Sequence, residues 1–317
     1  MKTVQQEVDE RSNLTGNNQL ELLLFRLGGD HNGERNELFG MNVFKIREIV
    51  AMPAVTAIAG AMPHVLGVVN LRGAIIQVID LPAIAGCVPR SGLNIMLVTE
   101  FARTTQAFAV ESVEEIVRLD WKHVMSAEHS AGTGGLVASI ARLDQGSDSS
   151  RLAQVLDLET ILRNMNPTDR PDVTRAAIGE SIKIKPGSVI LAADDSLVAR
   201  ALIEEGLTAM GLPFIMTKTG KEAWELLNTM ADKAEADGVG VSDRVALVLT
   251  DLEMPEMDGF TLTRLIKKEA RYKGIPVLIH SSLSGTTNEE HVRTAGADAY
   301  VAKFNAGELA EALRALL

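Results

Sequence analysis

The stretch Val245–Gly259, Val-Ala-Leu-Val-Leu-Thr-Asp-Leu-Glu-Met-Pro-Glu-Met-Asp-Gly, constrains this chain more than any other. Its apolar residues run without alternation, as in a strand of a parallel sheet covered on both faces. The run stops on the carboxylate of Asp251, and Pro255 and Gly259 then forbid a regular continuation. Open α/β sheets bind ligands outside the carboxyl ends of their strands, so Asp251 is expected at the mouth of a site.

Strand and helix signals alternate around that stretch from residue 187 to 317. Strands are expected over Val189–Ala193, Pro213–Thr217, Val245–Asp251, Pro276–Ser281 and Ala299–Ala302. Helices are expected over Ser196–Met210, Lys221–Ala236, Phe260–Ala270, Thr287–Ala295 and Ala306–Leu317, giving a doubly wound α/β domain with a five-stranded parallel sheet. Each strand end then delivers a polar group to one edge: Asp194 and Asp195, Asp251, Ser281 and Lys303. Singly these have plain readings, such as acids at a helix N-terminus, a solvated lysine or the end of a strand. Together they define a cleft in which three carboxylates repel one another, and a hard divalent cation, Mg²⁺ for an all-oxygen site with a phosphate task, is the natural counter-charge. Asp251 could then attack a phosphoryl group, with Lys303 and the Ser281 hydroxyl stabilising the equatorial oxygens.

These motifs resemble the receiver domain of two-component signalling over residues 188–317. The resemblance implies a flavodoxin-like fold and phosphorylation at Asp251. It implies a Mg²⁺ site of Asp194, Asp195, Asp251 and the backbone carbonyl of Glu253, and a switch formed by Ser281 and Tyr300. Two features depart from the family pattern. Lys303-Phe304 stands where Lys-Pro is usual, leaving open whether that peptide is cis, and the long Lys233–Arg244 connection reads as a surface insertion at the far end of the sheet.

The first half shows short β-like runs at Leu20–Leu27, Leu38–Val43, Val65–Leu71, Ala74–Ile79, Ile95–Phe101, Ala107–Val110, Val113–Leu119 and Leu136–Leu143. Without a long helical period between them, they predict an all-β, barrel-like domain. Residues 49–71 carry no Asp, Glu, Lys or Arg, but Pro53, Gly60, Pro63 and Gly67 break the run, so loops and short strands are expected rather than insertion in a membrane. Asn70-Leu71-Arg72-Gly73 hinges two apolar strands. Gly73 permits the turn, and Arg72 is either a solvated turn residue or a charged fork at the tip. Here the chain resembles the CheW-like coupling domains of bacterial chemotaxis, through Gly67, Asn70–Gly73 and Val78–Leu81. Phe25, Gly40–Val43 and Gln154–Leu158 extend the match. That resemblance implies a double β-barrel binding chemoreceptor cytoplasmic tips and a CheA-type histidine kinase, with Arg72, Asn70 and Gly73 at the partner-binding surface.

The expected layout is a mobile tail over 1–17, a coupling domain over 18–165, a proline-marked linker over 166–186 and a receiver over 187–317. A net charge of −11 without a basic cluster argues against nucleic-acid binding. A single cysteine, Cys87, excludes an internal disulfide and a zinc site built on several thiolates. Acidic residues where a signal peptide would be apolar predict a cytoplasmic protein. The whole resembles CheV-type chemotaxis proteins. It implies an adaptor recruited to membrane-associated receptor arrays and regulated by kinase-dependent, Mg²⁺-dependent phosphorylation of Asp251, not an enzyme beyond its own phosphorylation and dephosphorylation. The alternatives are a phosphate sink draining the kinase, or a Mg²⁺-dependent phosphohydrolase with Glu253 as acid. The latter is disfavoured because no substrate-capping insert follows the first or third strand.

Overall fold

A computed structural model describes residues 19–29, 36–101, 104–127, 135–143, 151–165, 179, 181–282, 292–303 and 305–317. The expected tail, the linker through residue 178, the greater part of the helix expected from Thr287, and Phe304 with its peptide bond lie outside them. The described residues form two compact units, one ending at Met165 and one beginning at Gly179. Among them, no helix is long and apolar enough to cross a membrane.

The first unit is built of β1 (Gln19–Arg26), β2 (Leu38–Asn42), β3 (Ile46–Ala51), β4 (Val65–Leu71), β5 (Ala74–Asp80), β6 (Ile95–Phe101), β7 (Thr104–Val110), β8 (Ser112–Asp120), β9 (Val124–Ser126), β10 (Val137–Arg142) and β11 (Leu152–Leu156). Two short helices, α1 (Leu81–Ala85) and α2 (Leu158–Met165), accompany them. One sheet has the order β8-β1-β2-β11-β10-β9 and the other β3-β6-β7-β5-β4. Strand periodicity assigns each side chain to one of three cores. On β1, Leu20, Leu22 and Leu24 enter a core belonging to the first sheet, while Leu23 and Phe25 face a core shared by both sheets. On β6 and β7, Met96, Val98, Ala107 and Ala109 fill the second sheet's own core, and Leu97, Phe108 and Val110 face the shared one. This division explains why Leu-Leu-Leu-Phe can run uninterrupted in an antiparallel strand, since both of its faces are buried.

β3, which the apolar pattern does not mark, carries Arg47 and Glu48 in its middle. Glu48 is nevertheless buried, and its carboxylate receives the guanidinium of Arg72 at 2.9 Å. Buried carboxylates need such a partner.

The second unit comprises β12 (Val189–Ala193), α3 (Leu197–Ala209), β13 (Phe214–Thr217), α4 (Gly220–Ala236), β14 (Val245–Thr250), α5 (Gly259–Lys268), β15 (Val277–Ser281), β16 (Ala299–Ala302) and α6 (Ala306–Leu316). All strand pairs are parallel, in the order β13-β12-β14-β15-β16, the flavodoxin-like arrangement. Every residue of β14 from Leu247 to Thr250 is buried, as the unbroken apolar run requires. The long connection before β14 is less loose than its composition suggests. α4 continues through Ala236, and a short 3₁₀ turn at Val241–Asp243 places Val241 in the core.

Within the span expected as linker, Ser181–Lys185 alternates exposed and half-buried residues. Ile182 and Ile184 pack against the core formed by β12, α3 and α6, while Lys183 and Lys185 face outward, Lys185 pairing with Asp243.

Candidate functional site

The acids converge at the carboxyl edge of the parallel sheet. β12 ends at Ala193 and hands over Asp194 and Asp195, and β14 ends at Thr250 and hands over Asp251. One carboxylate oxygen from each of these three residues lies within 4.8 Å of the others. Asp194 and Asp251 are buried, and Asp195 is half-buried. Lys303, one residue beyond β16, answers this charge. Its ammonium lies 2.9 Å from Asp194 Oδ2 and 2.9 Å from Asp251 Oδ2, with only 1% of its side chain exposed. A lysine buried to that degree stays charged only among acids.

Hydrogen bonds hold the carboxylates in place. The Leu252 amide donates to Asp251 Oδ1 at 2.7 Å, and the Ser196 amide donates to Asp194 Oδ1 at 2.9 Å. Ser196 caps α3 as expected, its hydroxyl accepting from the Ala199 amide. The backbone amide of Asp251 donates to the Ala193 carbonyl and that of Asp194 to the Thr217 carbonyl, so neighbouring strands fix both residues.

The loop from Asp251 to α5 is shaped by close approaches that only glycine allows. A Cβ on Gly259, the first residue of α5, would lie 2.0 Å from the Asp251 carbonyl oxygen, and the Gly259 amide instead donates to the Leu252 carbonyl at 3.0 Å. On the other side, a Cβ on Gly220 would meet the Met257 carbonyl oxygen at 2.3 Å, so the start of α4 buttresses this loop. Lys221 adds an ion pair to Glu256 at 3.1 Å, which raises the lysine's pKa, and Glu256 itself sits at a φ of 63°. Asp258 caps α5 by accepting from the Thr261 amide, and burial pushes its carboxyl up against that pull. Glu253 lies in this loop with its side chain half-buried.

Ser281 closes β15 fully buried, and its carbonyl accepts from the Lys303 amide at 2.9 Å. Tyr300 is half-buried on β16, in register with Ile279 on β15. The structure therefore brings Asp194, Asp195, Asp251 and Lys303 into direct proximity and sets Ser281 at the adjoining strand end. One residue that motif spacing does not single out also belongs here. Arg200 on α3 is 6% exposed, and its Nη1 donates to the carbonyls of Asp194 at 3.0 Å and Asp195 at 2.7 Å.

In the first unit the predicted Asn70, Arg72 and Gly73 form one turn. The Gly73 amide donates to Asn70 Oδ1 at 2.9 Å, and Arg72 holds a left-handed φ of 51°. The Arg72 side chain reaches Glu48 while remaining 79% exposed.

Residues 21–165 match the CheW-like domain family, and residues 190–314 match the response regulator receiver domain family. Chemotaxis protein CheV2 of Helicobacter pylori is 30% identical over 98% of this chain and 99% of its own length. Chemotaxis protein CheV3 of the same organism is 29% identical over 94% of this chain and 95% of its own. Among solved structures, the scaffolding protein TtCheW from Thermoanaerobacter tengcongensis is 24% identical, covering 44% of this chain and 88% of its own with a TM-score of 0.37. Receivers hold Mg²⁺ through acidic residues, and the all-oxygen cluster here is of the donor type that suits that ion.

Proposed function

The chain belongs to the CheV-type chemotaxis proteins, a CheW-like domain joined to a receiver, and from that premise we propose that it is an adaptor coupling chemoreceptor tips to the chemotaxis histidine kinase, adjusted by phosphorylation of Asp251. The observation that carries the receiver half is Lys303 bridging Asp194 and Asp251 at 2.9 Å each. The cleft holds a nucleophilic carboxylate, a cation to meet the incoming phosphoryl oxygens, and acids that can take a metal in the lysine's place.

Asp194, Asp195 and Asp251, with the backbone carbonyl of Glu253, would hold Mg²⁺, which supplies charge neutralisation of the transferring phosphoryl group. Asp251 attacks the phosphorus of the kinase's phosphohistidine. The P–N bond breaks, its electron pair returns to the imidazole, and an acyl phosphate remains on Asp251. Lys303 follows the new charge from the carboxylate to a phosphoryl oxygen, and the Ser281 hydroxyl donates to another. Tyr300, on the strand that leads to Lys303, responds to the displaced hydroxyl. In the coupling domain, the Arg72 turn presents its guanidinium to the kinase or receptor. The protein thus works in the cytoplasm at receptor arrays.

The test is transfer of labelled phosphate from the phosphorylated chemotaxis kinase to the full chain, with and without Mg²⁺, compared with Asp251→Asn. Mg²⁺-dependent label absent from Asp251→Asn is expected. No label on the wild type, under conditions that label a control receiver, overturns phosphorylation at Asp251 and leaves a passive scaffold with a degenerate receiver. The decay rate of the label separates a regulated adaptor, with slow loss, from a phosphate sink.

A further inference from the structure

Carbonyls that follow a strand and precede a helix have no partner in either element, and when buried they need donors from elsewhere. The carbonyls of Asp194 and Asp195 stand at such a junction, between the last residue of β12 and the N-cap Ser196. Side chains on a helix point back toward its N-terminus, so a residue in the first turn of α3 can reach them. Arg200 does so, with one nitrogen serving both carbonyls through its two hydrogens and the side chain buried. The Asp194 peptide is thereby fixed on both sides, its amide donating to Thr217 and its carbonyl receiving Arg200.

We propose that Arg200 is a positioning residue for the metal site, holding the Asp194-Asp195 backbone so that both carboxylates face the cation. This inference rests on the reading of the acid cluster as a Mg²⁺ site. Geometry and charge make opposite predictions, which gives the inference its test. A guanidinium on the Asp194-Asp195 backbone opposes a second cation beside it, so deleting its charge alone would tighten Mg²⁺ binding. Deleting a group that orients metal ligands weakens binding instead, by about 10- to 100-fold.

The experiment is a calorimetric Mg²⁺ titration of the full chain as wild type, Arg200→Met and Arg200→Lys, below each variant's measured melting temperature. Met keeps the apolar stem and removes both donors. Lys keeps the charge, but its ammonium ends a stem one bond shorter and lacks the rigid planar head that aims both hydrogens of one nitrogen at the two carbonyls. The expected result is a Kd raised about 10- to 100-fold in Arg200→Met and by a smaller factor in Arg200→Lys. A role confined to stability lowers the melting temperature and leaves Kd within twofold. That result, or tighter binding in Arg200→Met, overturns the inference. Should Arg200→Met not fold, Arg200→Lys decides alone, and a Kd within twofold of wild type overturns the inference. Absence of Mg²⁺ binding by the wild type is a different failure, that of the metal-site reading itself.

Discussion

Replacing Lys303 by Met removes the cation from a pocket in which Asp194 and Asp251 are both buried. At 2.9 Å each contact has a Coulomb energy of about 6 kcal/mol at an effective dielectric of about 20. Most of that offsets the desolvation of the three groups, so the measurable quantity is the cost of stranding buried charges, about 3–5 kcal/mol. For a receiver-sized unit this corresponds to a melting temperature lowered by roughly 10–20 °C. Mg²⁺ should restore much of the loss, because an ion held by the same carboxylates would stabilise the folded state by mass action. The assay is thermal unfolding of full-length wild type and Lys303→Met followed by calorimetry, with and without saturating Mg²⁺, scoring the receiver transition. The variant is expected to show the larger Mg²⁺-induced rise. A loss below about 1 kcal/mol without metal, or an equal rise in both proteins, would refute the reasoning.

Glu111 offers a pH test in the coupling domain. Burial pushes its carboxyl up, but hydrogen bonds from the Ser91 amide and hydroxyl and the Arg90 amide outweigh this and hold it below the usual range. An acid with a depressed folded-state pKa contributes fully above its unfolded value, about pH 4.5, and loses that contribution as pH falls through the folded value. Urea unfolding monitored at Trp121 should therefore show Glu111→Gln less stable by about 1 kcal/mol at pH 7, with the gap closing below about pH 4. A gap that stays constant to pH 3 would refute the depressed pKa. A second test concerns Ile182 and Ile184. Replacing both by Ser should cost about 2 kcal/mol in the docking of the Ser181–Lys185 segment, and so speed trypsin cleavage after Lys183 in the full chain about 30-fold. Cleavage at the wild-type rate, located by mass spectrometry, would show that the segment is not held by those side chains.

What could be read from the residues alone follows from how local the cause is. β14 was legible because its residues from Leu247 to Thr250 are all buried, on both faces of the sheet, which leaves one interpretation for an apolar run of that length. The acids, Ser281 and Lys303 were legible because parallel topology sends every strand end to one edge. β3 was not, since its middle holds Arg47 and Glu48, and only the approach of Arg72 from another hairpin makes a carboxylate tolerable there. Arg200 was invisible for a similar reason, as its targets are carbonyls, which carry no residue identity. Gly220 precedes the helix expected from Lys221, and its constraint appears only when the Met257 carbonyl is found against it. Ile182 and Ile184 fell within the span read as linker from its prolines, where no periodicity marks their packing.

The Arg72–Glu48 pair of the first unit and the Lys303 pairs of the second are placed differently, and the difference suits the work proposed for each. Glu48 is buried, yet its partner Arg72 keeps 79% of its side chain in solvent, and Glu21 pairs in the same way with an exposed Arg118. The exposed cation is already hydrated, so a docking partner can recruit it for little further desolvation, while the buried acid holds the turn in position beneath it. Lys303 is sealed between two acids that are themselves out of water. Moving it without replacing its charge strands both carboxylates, which a passing protein surface cannot compensate but a small divalent ion or a phosphoryl group in the cleft can. A contact surface is served by the first arrangement, and a site that should respond only to its own chemistry by the second.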